Sequence, residues 1–93
     1  MVIGVIGWEL EVFGCQSLKD KRRVIKSLKD RLHERFNVSA AETAYQDLWQ
    51  RALVSAVTIS SDHRNAEQIL QSVENEAALI LGPALVSAAV EWL

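Results

Sequence analysis

Hydrophobic and polar residues alternate along residues 2–13, a pattern typical of a β-strand with one buried face. One side carries Ile6, Trp8, Leu10 and Val12, and the other carries Gly7, Glu9 and Glu11. From Ser17 the apolar spacing changes to three, four and seven, which predicts a helix capped by Ser17 and ending near Asn37. The apolar stripe of this helix consists of Leu18, Ile25, Leu28, Leu32 and Phe36.

The middle of the chain predicts two further strands. Residues 38–45 form a weak strand of small residues, and residues 46–50 form a connector longer than a tight turn. Residues 51–60 are rich in Val, Thr and Ile, which favours a strand. Both registers of this last strand carry apolar residues, so the pattern leaves open which side faces the core.

A second helix is predicted from its cap Asp62 to about Leu81, where Gly82 and Pro83 end it. Its expected stripe is Ile69, Val73, Ala77 and Ile80, with Leu70 and Leu81 flanking it. Residues 84–93 then form the last strand.

This order of elements predicts an α+β fold, a ferredoxin-like βαββαβ sandwich in which two helices cover one face of a four-stranded antiparallel sheet. At 93 residues, of which 49% are hydrophobic, the chain makes a single domain, residues 1–93. The other face of the sheet would receive Ile3, Val5, Gly7, Glu9 and Glu11. An uncovered, partly apolar row of this kind is a candidate surface for a homodimer.

Charge is distributed unevenly along the chain, although its formal net charge is only -2. Residues 19–35 hold eight cations and three acids, a net charge of +5, and the remainder carries -7. Four of these cations are expected to contact RNA or ribosomal phosphates, namely Lys19, Arg22, Arg23 and Lys26. The alternatives are an ordinary solvated helix face and a contact with an acidic protein surface, including that of a second copy.

Several segments of the sequence resemble the YlxP-like family of small bacterial proteins of unknown function. The resemblance lies in Gln16-Ser17-Leu18-Lys19-Asp20-Lys21-Arg22-Arg23-Val24, in Lys26-Ser27-Leu28, Arg31-Leu32 and Arg35-Phe36-Asn37-Val38-Ser39, and in Asp47-Leu48-Trp49-Gln50-Arg51-Ala52. It implies a ferredoxin-like α+β fold and no catalytic residues. Members of this family are often encoded among genes for transcription and translation factors, which implies RNA or ribosome work. Relatives often carry Pro and Ala where this chain has Phe13 and Cys15, which argues against Cys15 as a family nucleophile.

The connector supplies a candidate protein contact at Trp49 and Arg51, because Trp and Arg are frequent at interaction hot spots. The alternative is a Trp49 side chain folded back over the end of the core. Trp92, in the last strand, is expected in the core or at a dimer contact.

Other modes of nucleic-acid recognition are not expected. Base stacking on the open sheet face needs aromatic residues on the central strands, yet residues 51–60 have none and Trp8 is expected to face the helices. The spacing of Gly4-Val5-Ile6-Gly7 matches the GxxG of a KH loop, but these residues lie within a strand.

No enzymatic site is predicted, and neither is a cofactor or a metal site. The single Cys15 and the isolated His33 and His63 lack the spacing of a zinc site. Glu9 and Glu11 are expected on the solvent side of a strand. No signal peptide or membrane segment is evident, so a cytoplasmic protein is expected. Two functions therefore remain: a non-catalytic RNA- or ribosome-associated factor, and a homo-oligomeric interaction module that uses the open sheet face.

Overall fold

A computed structural model describes all residues, 1–93, and the order of its elements confirms the predicted ferredoxin-like fold. The chain forms β1 (Val2–Glu11), α1 (Leu18–Arg35), β2 (Ser39–Ala44), β3 (Arg51–Ser60), α2 (His63–Leu81), a 3-10 turn (Gly82–Ala84) and β4 (Leu85–Trp92). These bounds lie within about two residues of the predicted ones.

The sheet is antiparallel throughout, with the order β2-β3-β1-β4. The two central strands pair from Val2 opposite Ser60 to Glu11 opposite Arg51. This pairing places β2 and β4 at the two edges of the sheet. Each edge strand carries one bulge, next to Glu42 in β2 and next to Leu85 in β4.

The core lies between one face of the sheet and the two helices. Ile6, Trp8 and Leu10 of β1 are completely buried there, as their alternation predicted. The structure also resolves the facing of β3. The residues of β3 that face the helices are Ala52, Val54, Ala56 and Thr58, whereas Leu53, Val57 and Ile59 lie on the open face.

Each helix contributes one apolar face to this core, and the sequence predicts the face of α1 more accurately than that of α2. In α1 the buried apolar residues are Ile25, Leu28 and Leu32, and Leu18 and Phe36 are half-buried. In α2 the buried residues are Ala66, Leu70, Val73, Ala77 and Leu81, so the predicted stripe is confirmed at Val73 and Ala77 and wrong at Ile69 and Ile80. Leu70 and Leu81, predicted to flank the stripe, are buried instead, whereas Ile69 packs half-buried against the core and Ile80 is exposed.

The helix ends mostly follow the predicted caps. The Ser17 hydroxyl accepts a hydrogen bond from the Asp20 N–H, and the Asp62 carboxylate accepts from the N–H groups of Arg64 and Asn65. At the other end of α1 the cap is Phe36, whose N–H donates to the Leu32 carbonyl. The predicted C-cap, Asn37, lies one residue beyond it.

Coverage of the sheet is uneven. Helix α2 packs over β1 and β3, and α1 packs beside α2 and over β2. Strand β4 lies largely outside this cover, and every residue from Val86 to Trp92 is exposed. The two edges of the sheet therefore have different surroundings.

Candidate nucleic-acid interface on the first helix

The start of α1 is fixed by a reciprocal pair of side-chain caps. The Asp20 N–H donates to Ser17 Oγ over 3.1 Å, and the Gln16 N–H donates to Asp20 Oδ2 over 3.2 Å. This arrangement resembles a capping box, with Asp in place of Glu or Gln. It fixes the residue at which the helix begins, and burial of Ile25, Leu28 and Leu32 then sets the side on which each cation lies.

All four cations predicted to bind nucleic acid are exposed, namely Lys19, Arg22, Arg23 and Lys26. Lys26 is held by Asp30, whose carboxylate lies 2.5 Å from its Nζ. The other three have no carboxylate partner within 4 Å. Lys29 is also free of such a partner. We call Lys19, Arg22, Arg23, Lys26 and Lys29 the cationic flank.

Part of the cationic flank lines a shallow groove between α1 and the edge strand β2. The groove is formed by Arg22, Ile25, Lys26, Lys29, Asp30, His33 and Glu42. The hydrogen bond to Lys26 lowers the pKa of Asp30, so this carboxylate remains charged under all but acidic conditions. Lys29 was missed by the sequence analysis, although at 100° per residue it falls next to Arg22 on the helix.

Lys21 does not belong to this surface, although it is one of the eight cations of residues 19–35. Its side chain is completely buried, and its ammonium donates to the carbonyls of Tyr45, Gln46 and Arg51 over 2.8–3.3 Å. The Glu42 carboxylate lies 2.9 Å from the same nitrogen and balances its charge. Lys21 therefore fastens the β2–β3 connector to α1.

Two further arginines of α1 are engaged by the second helix. Arg31 Nε and Arg35 Nη1 each lie 3.0 Å from Glu76 Oε1. The hydrogen bond from Arg31 is the largest cause of the lowered pKa of Glu76. Both arginines lie on the α2 side of α1, away from the groove. The exposed positive charge is thus concentrated on the cationic flank and is smaller than the +5 of the whole stretch.

The β2–β3 connector presents a second candidate surface. Trp49 is 53% exposed, with Leu48 and Tyr45 also exposed beside it. Arg51 is engaged within the chain, since its guanidinium lies 4.4 Å from the Tyr45 ring centroid and pairs with Glu9. The hydrogen bond to Glu9 raises the pKa of Arg51. The Val12 N–H donates to the Gln50 carbonyl, which ties the connector to the end of β1.

No strand residue on the open face of the sheet is aromatic, and the ring of the connector residue Tyr45 lies against Arg51 at the end of β3. Its exposed and half-buried residues are Ile3, Val5, Gly7, Glu9 and Glu11 from β1, Arg51, Leu53, Ser55, Val57 and Ile59 from β3, Ser39, Ala41 and Thr43 from β2, and Ser87, Ala89 and Glu91 from β4. Trp8 faces the helices, as predicted. The central strands therefore offer no aromatic residue for base stacking on this face.

Cys15 and His63, which were considered for catalysis, are engaged in packing and in contacts within the chain. Cys15 is buried, and burial raises the pKa of its thiol, which opposes formation of the nucleophilic thiolate. His63 Nε2 lies 2.7 Å from Glu67, and its ring packs 4.3 Å from that of Trp92. No three His, Cys, Asp or Glu side chains come together as a metal site. Neither helix is long and apolar enough to cross a membrane.

Comparison with known proteins gives a family and a fold. A family model described as a protein of unknown function, DUF503, matches residues 3–88. The chain is 39% identical over 72 residues to the uncharacterized protein YlxP of Bacillus subtilis (strain 168), covering 77% of this chain and 78% of that protein.

Two solved structures share the fold at low identity. A putative antibiotic biosynthesis monooxygenase from Caulobacter crescentus CB15 matches with a TM-score of 0.56 and 14% identity, over 99% of this chain and 87% of that one. A C-terminal segment of the alpha subunit of aIF2 from Pyrococcus abyssi matches with a TM-score of 0.51 and 16% identity. That match covers all of this chain and 49% of the segment, so the chain spans about half its length.

Proposed function

The chain belongs to the DUF503 family of proteins of unknown function, and on that premise we propose that it is a non-catalytic factor that binds structured RNA or the ribosome through the cationic flank of α1. One observation carries the proposal. Lys19, Arg22, Arg23 and Lys29 have no carboxylate within 4 Å, although they lie within 11 residues of one another on one helix.

The rest of the chain shows how selective this exposure is. Arg31 and Arg35 share Glu76, Arg51 pairs with Glu9, and Lys21 is buried with Glu42. Apart from the flank, only Arg64 on α2 has neither burial nor a carboxylate partner. A chain with more acids than bases thus leaves most of its unpaired positive charge on one side of one helix.

Contact with the phosphate backbone is the mode of binding that this arrangement favours. Lys and Arg neutralise phosphates and release condensed counterions, which makes the affinity strongly dependent on salt. The shape of a double-stranded stem is recognised largely through such contacts, without base stacking. Trp49 is the candidate for a second contact, because it is exposed on the connector that Lys21 fastens to the start of α1.

The test is the affinity of purified protein for ribosomal subunits and for a ribosomal RNA stem-loop at several salt concentrations. The double variant Arg22→Glu/Arg23→Glu should lose most of the binding, and replacing either arginine singly by Gln should lower the log–log salt slope by about 1. Arg64→Glu is the matched control, since Arg64 is also exposed and unpaired but lies on α2. Unchanged affinity of the double variant would refute the proposal.

A DNA duplex of the same length serves as the competing ligand. The proposal expects weaker binding to the DNA than to the RNA stem-loop. Equal affinity for both would reduce the flank to a general polyanion contact and would contradict a dedicated RNA function.

Self-association is the second candidate function. On the open sheet face, where the sequence analysis assigned it, Ile3, Val5, Leu53 and Val57 are half-buried by their neighbours and only Ile59 is largely exposed. The larger set of exposed apolar side chains lies on β4, namely Val86, Val90 and Trp92, with Leu93 following it. That strand is the observation that favours self-association.

A further inference from the structure

We infer that β4 is the self-association edge of this protein, and that two copies pair antiparallel through this strand to form one continuous eight-stranded sheet. The inference rests on the second candidate function, self-association. It is independent of RNA binding, because the cationic flank lies at the opposite side of the sheet.

Strand β4 is apolar and accessible over most of its length. Its eight residues include only two polar ones, Ser87 and Glu91, and no Lys or Pro. Natural sheets usually protect an exposed edge with lysine, proline or a covering element. In β4 only the bulge next to Leu85 and the charge of Glu91 interrupt the edge, so its exposed valines are better explained by a partner strand than by solvent.

The main chain of β4 has hydrogen-bonding groups directed away from the sheet. The Leu93 N–H donates to the Ile3 carbonyl, so the residues that bond to β1 are the odd-numbered ones up to the bulge. The N–H and C=O groups of Ala88 and Val90 therefore point outward, and neither residue has a main-chain partner elsewhere in the chain.

The opposite edge of the sheet is closed to the same kind of pairing. The outward N–H of Ala40 in β2 donates to His33 Nε2 over 3.0 Å, and the carbonyl of Glu42 accepts from Gln46 Nε2 over 3.3 Å. A second copy cannot add a strand there without displacing these side chains. Pairing between copies must then join β4 to β4, which gives a closed dimer and not an open filament.

The sequence of β4 is complementary to itself in the antiparallel direction. Ser87 and Glu91 lie two residues on either side of Ala89. A two-fold axis at Ala89 therefore places each Ser87 opposite Glu91 of the second copy, where the hydroxyl can donate to the carboxylate. On the other face the same register places Ala88 opposite Val90 of the second copy. Polar residues thus meet polar residues, and apolar residues meet apolar ones.

This register also separates the only charges on the strand. The two Glu91 carboxylates would be four residues apart along the strand direction, or about 13 Å. The small side chain of Ala89 allows close approach at the axis, where facing Cα atoms of a non-hydrogen-bonded pair lie about 4.5 Å apart. A foreign strand would have to reproduce this pattern, whereas a second copy supplies it.

The mass of the protein in solution, compared between two matched lysine variants, tests the assignment. The wild-type chain should have about twice its mass of 10.4 kDa, measured by light scattering at a concentration of about 100 μM. Val90→Lys should give a monomer, and Ile59→Lys should remain a dimer. Val90 and Ile59 are β-branched residues of similar exposure, 47% and 54%, but Ile59 lies on the open face of a central strand.

Contrary results in this experiment separate pairing through β4 from its alternatives. A monomeric wild-type chain at that concentration, or a dimeric Val90→Lys variant, would overturn the inference. A monomer produced only by Ile59→Lys would overturn it in favour of the open sheet face. RNA binding that persists in a monomeric chain would separate failure of this inference from failure of the RNA proposal.

Disulfide cross-linking tests the register and does not depend on how Val90→Lys folds. Ala89→Cys should form a covalent dimer under mild oxidation, because facing Cα atoms about 4.5 Å apart fall within the range of a disulfide. Ala41→Cys on β2 is the control and should not cross-link, and neither should the wild-type chain, whose Cys15 is buried. A dimer in which Ala89→Cys fails to cross-link would refute the pairing about Ala89.

Discussion

The two edges of the sheet share a run of small residues, Ser39-Ala40-Ala41 in β2 and Ser87-Ala88-Ala89 in β4, yet one edge is closed and the other is open. Strand β2 lies beneath α1, which supplies His33 to the Ala40 N–H and Lys21 to Glu42. Strand β4 lies beyond α2, which covers β1 and β3 instead. The difference shows that the state of a sheet edge depends on which helix side chains reach it, more than on the composition of the strand.

Loss of the Lys21 ammonium should have the largest effect on the free energy of unfolding, because this group joins α1 to β2 and to the β2–β3 connector. Lys21→Met would leave the carbonyls of Gln46 and Arg51 without the ammonium donor and Glu42 without its counter-charge, at a cost of about 3–5 kcal/mol in the free energy of unfolding. Urea denaturation would measure it. Lys19→Met, an exposed site two residues away, should change stability by less than about 0.5 kcal/mol. A similar small change at both sites would contradict the anchoring role.

The β4 side should be most sensitive at Gly4. A Cβ at this position would lie 2.5 Å from Trp92 Cζ3 and 2.8 Å from Leu70 Cδ1. Gly4→Ala should therefore cost about 1–3 kcal/mol through overpacking and should push Trp92 outward. At Gly7 on the opposite face the nearest atom would be 3.7 Å away, so Gly7→Ala serves as the control. Equal melting temperatures of Gly4→Ala and Gly7→Ala would exclude this role for Gly4.

Opening the closed edge should have a smaller effect on stability but a visible effect on association. His33→Ala removes the acceptor for the Ala40 N–H, at a cost of about 0.5–1.5 kcal/mol. The freed edge should then allow assemblies larger than a dimer, detectable by light scattering. His33→Gln, which keeps an acceptor on a side chain of comparable reach, should behave more like the wild type. If His33→Ala showed no larger species, side-chain capping would not be what closes β2.

The smallest expected effect concerns pH and the groove beside β2. Because Lys26 lowers the pKa of Asp30 in the folded chain, ionised Asp30 stabilises the fold above the pKa of the unfolded state. That contribution disappears as the pH falls through the lowered folded-state pKa. The difference in melting temperature between wild type and Asp30→Asn should therefore be small at neutral pH and vanish in acid. A difference that grows as the pH falls would have the wrong sign.

Much of the fold could be predicted from periodicity, because the alternation in β1 and the stripe of α1 each allow one buried side. The stripe of α2 could not be predicted as well, since Ile69 and Leu70, like Ile80 and Leu81, are adjacent apolar residues. The facing of β3 was open for the same reason. In each case both registers carry apolar residues, and β3 even turns Leu53, Val57 and Ile59 away from the helices, so only packing against the rest of the core decides between the registers.

The candidate site was less predictable, because the net charge of +5 over residues 19–35 includes cations that the fold buries or pairs with carboxylates. At 100° per residue Lys21 falls between Leu28 and Leu32 on the apolar side, which was a usable signal of its burial. The pairing of Arg31 and Arg35 with Glu76 needed the position of α2 and had no local signal. The exposure of β4 also depends on where α2 lies over the sheet.

Burial of Lys21 has a consequence for how α1 and the β2–β3 connector behave. One ammonium group donates hydrogen bonds to the backbone carbonyls of Tyr45, Gln46 and Arg51. The loop that carries Trp49 is therefore fixed to the helix and does not move independently of it. A ligand that contacts both the helix and the loop would bind a preformed surface, so little conformational entropy of the protein would be lost on binding. Acylation of this single nitrogen would remove its charge and would free α1 and the β2–β3 connector from each other.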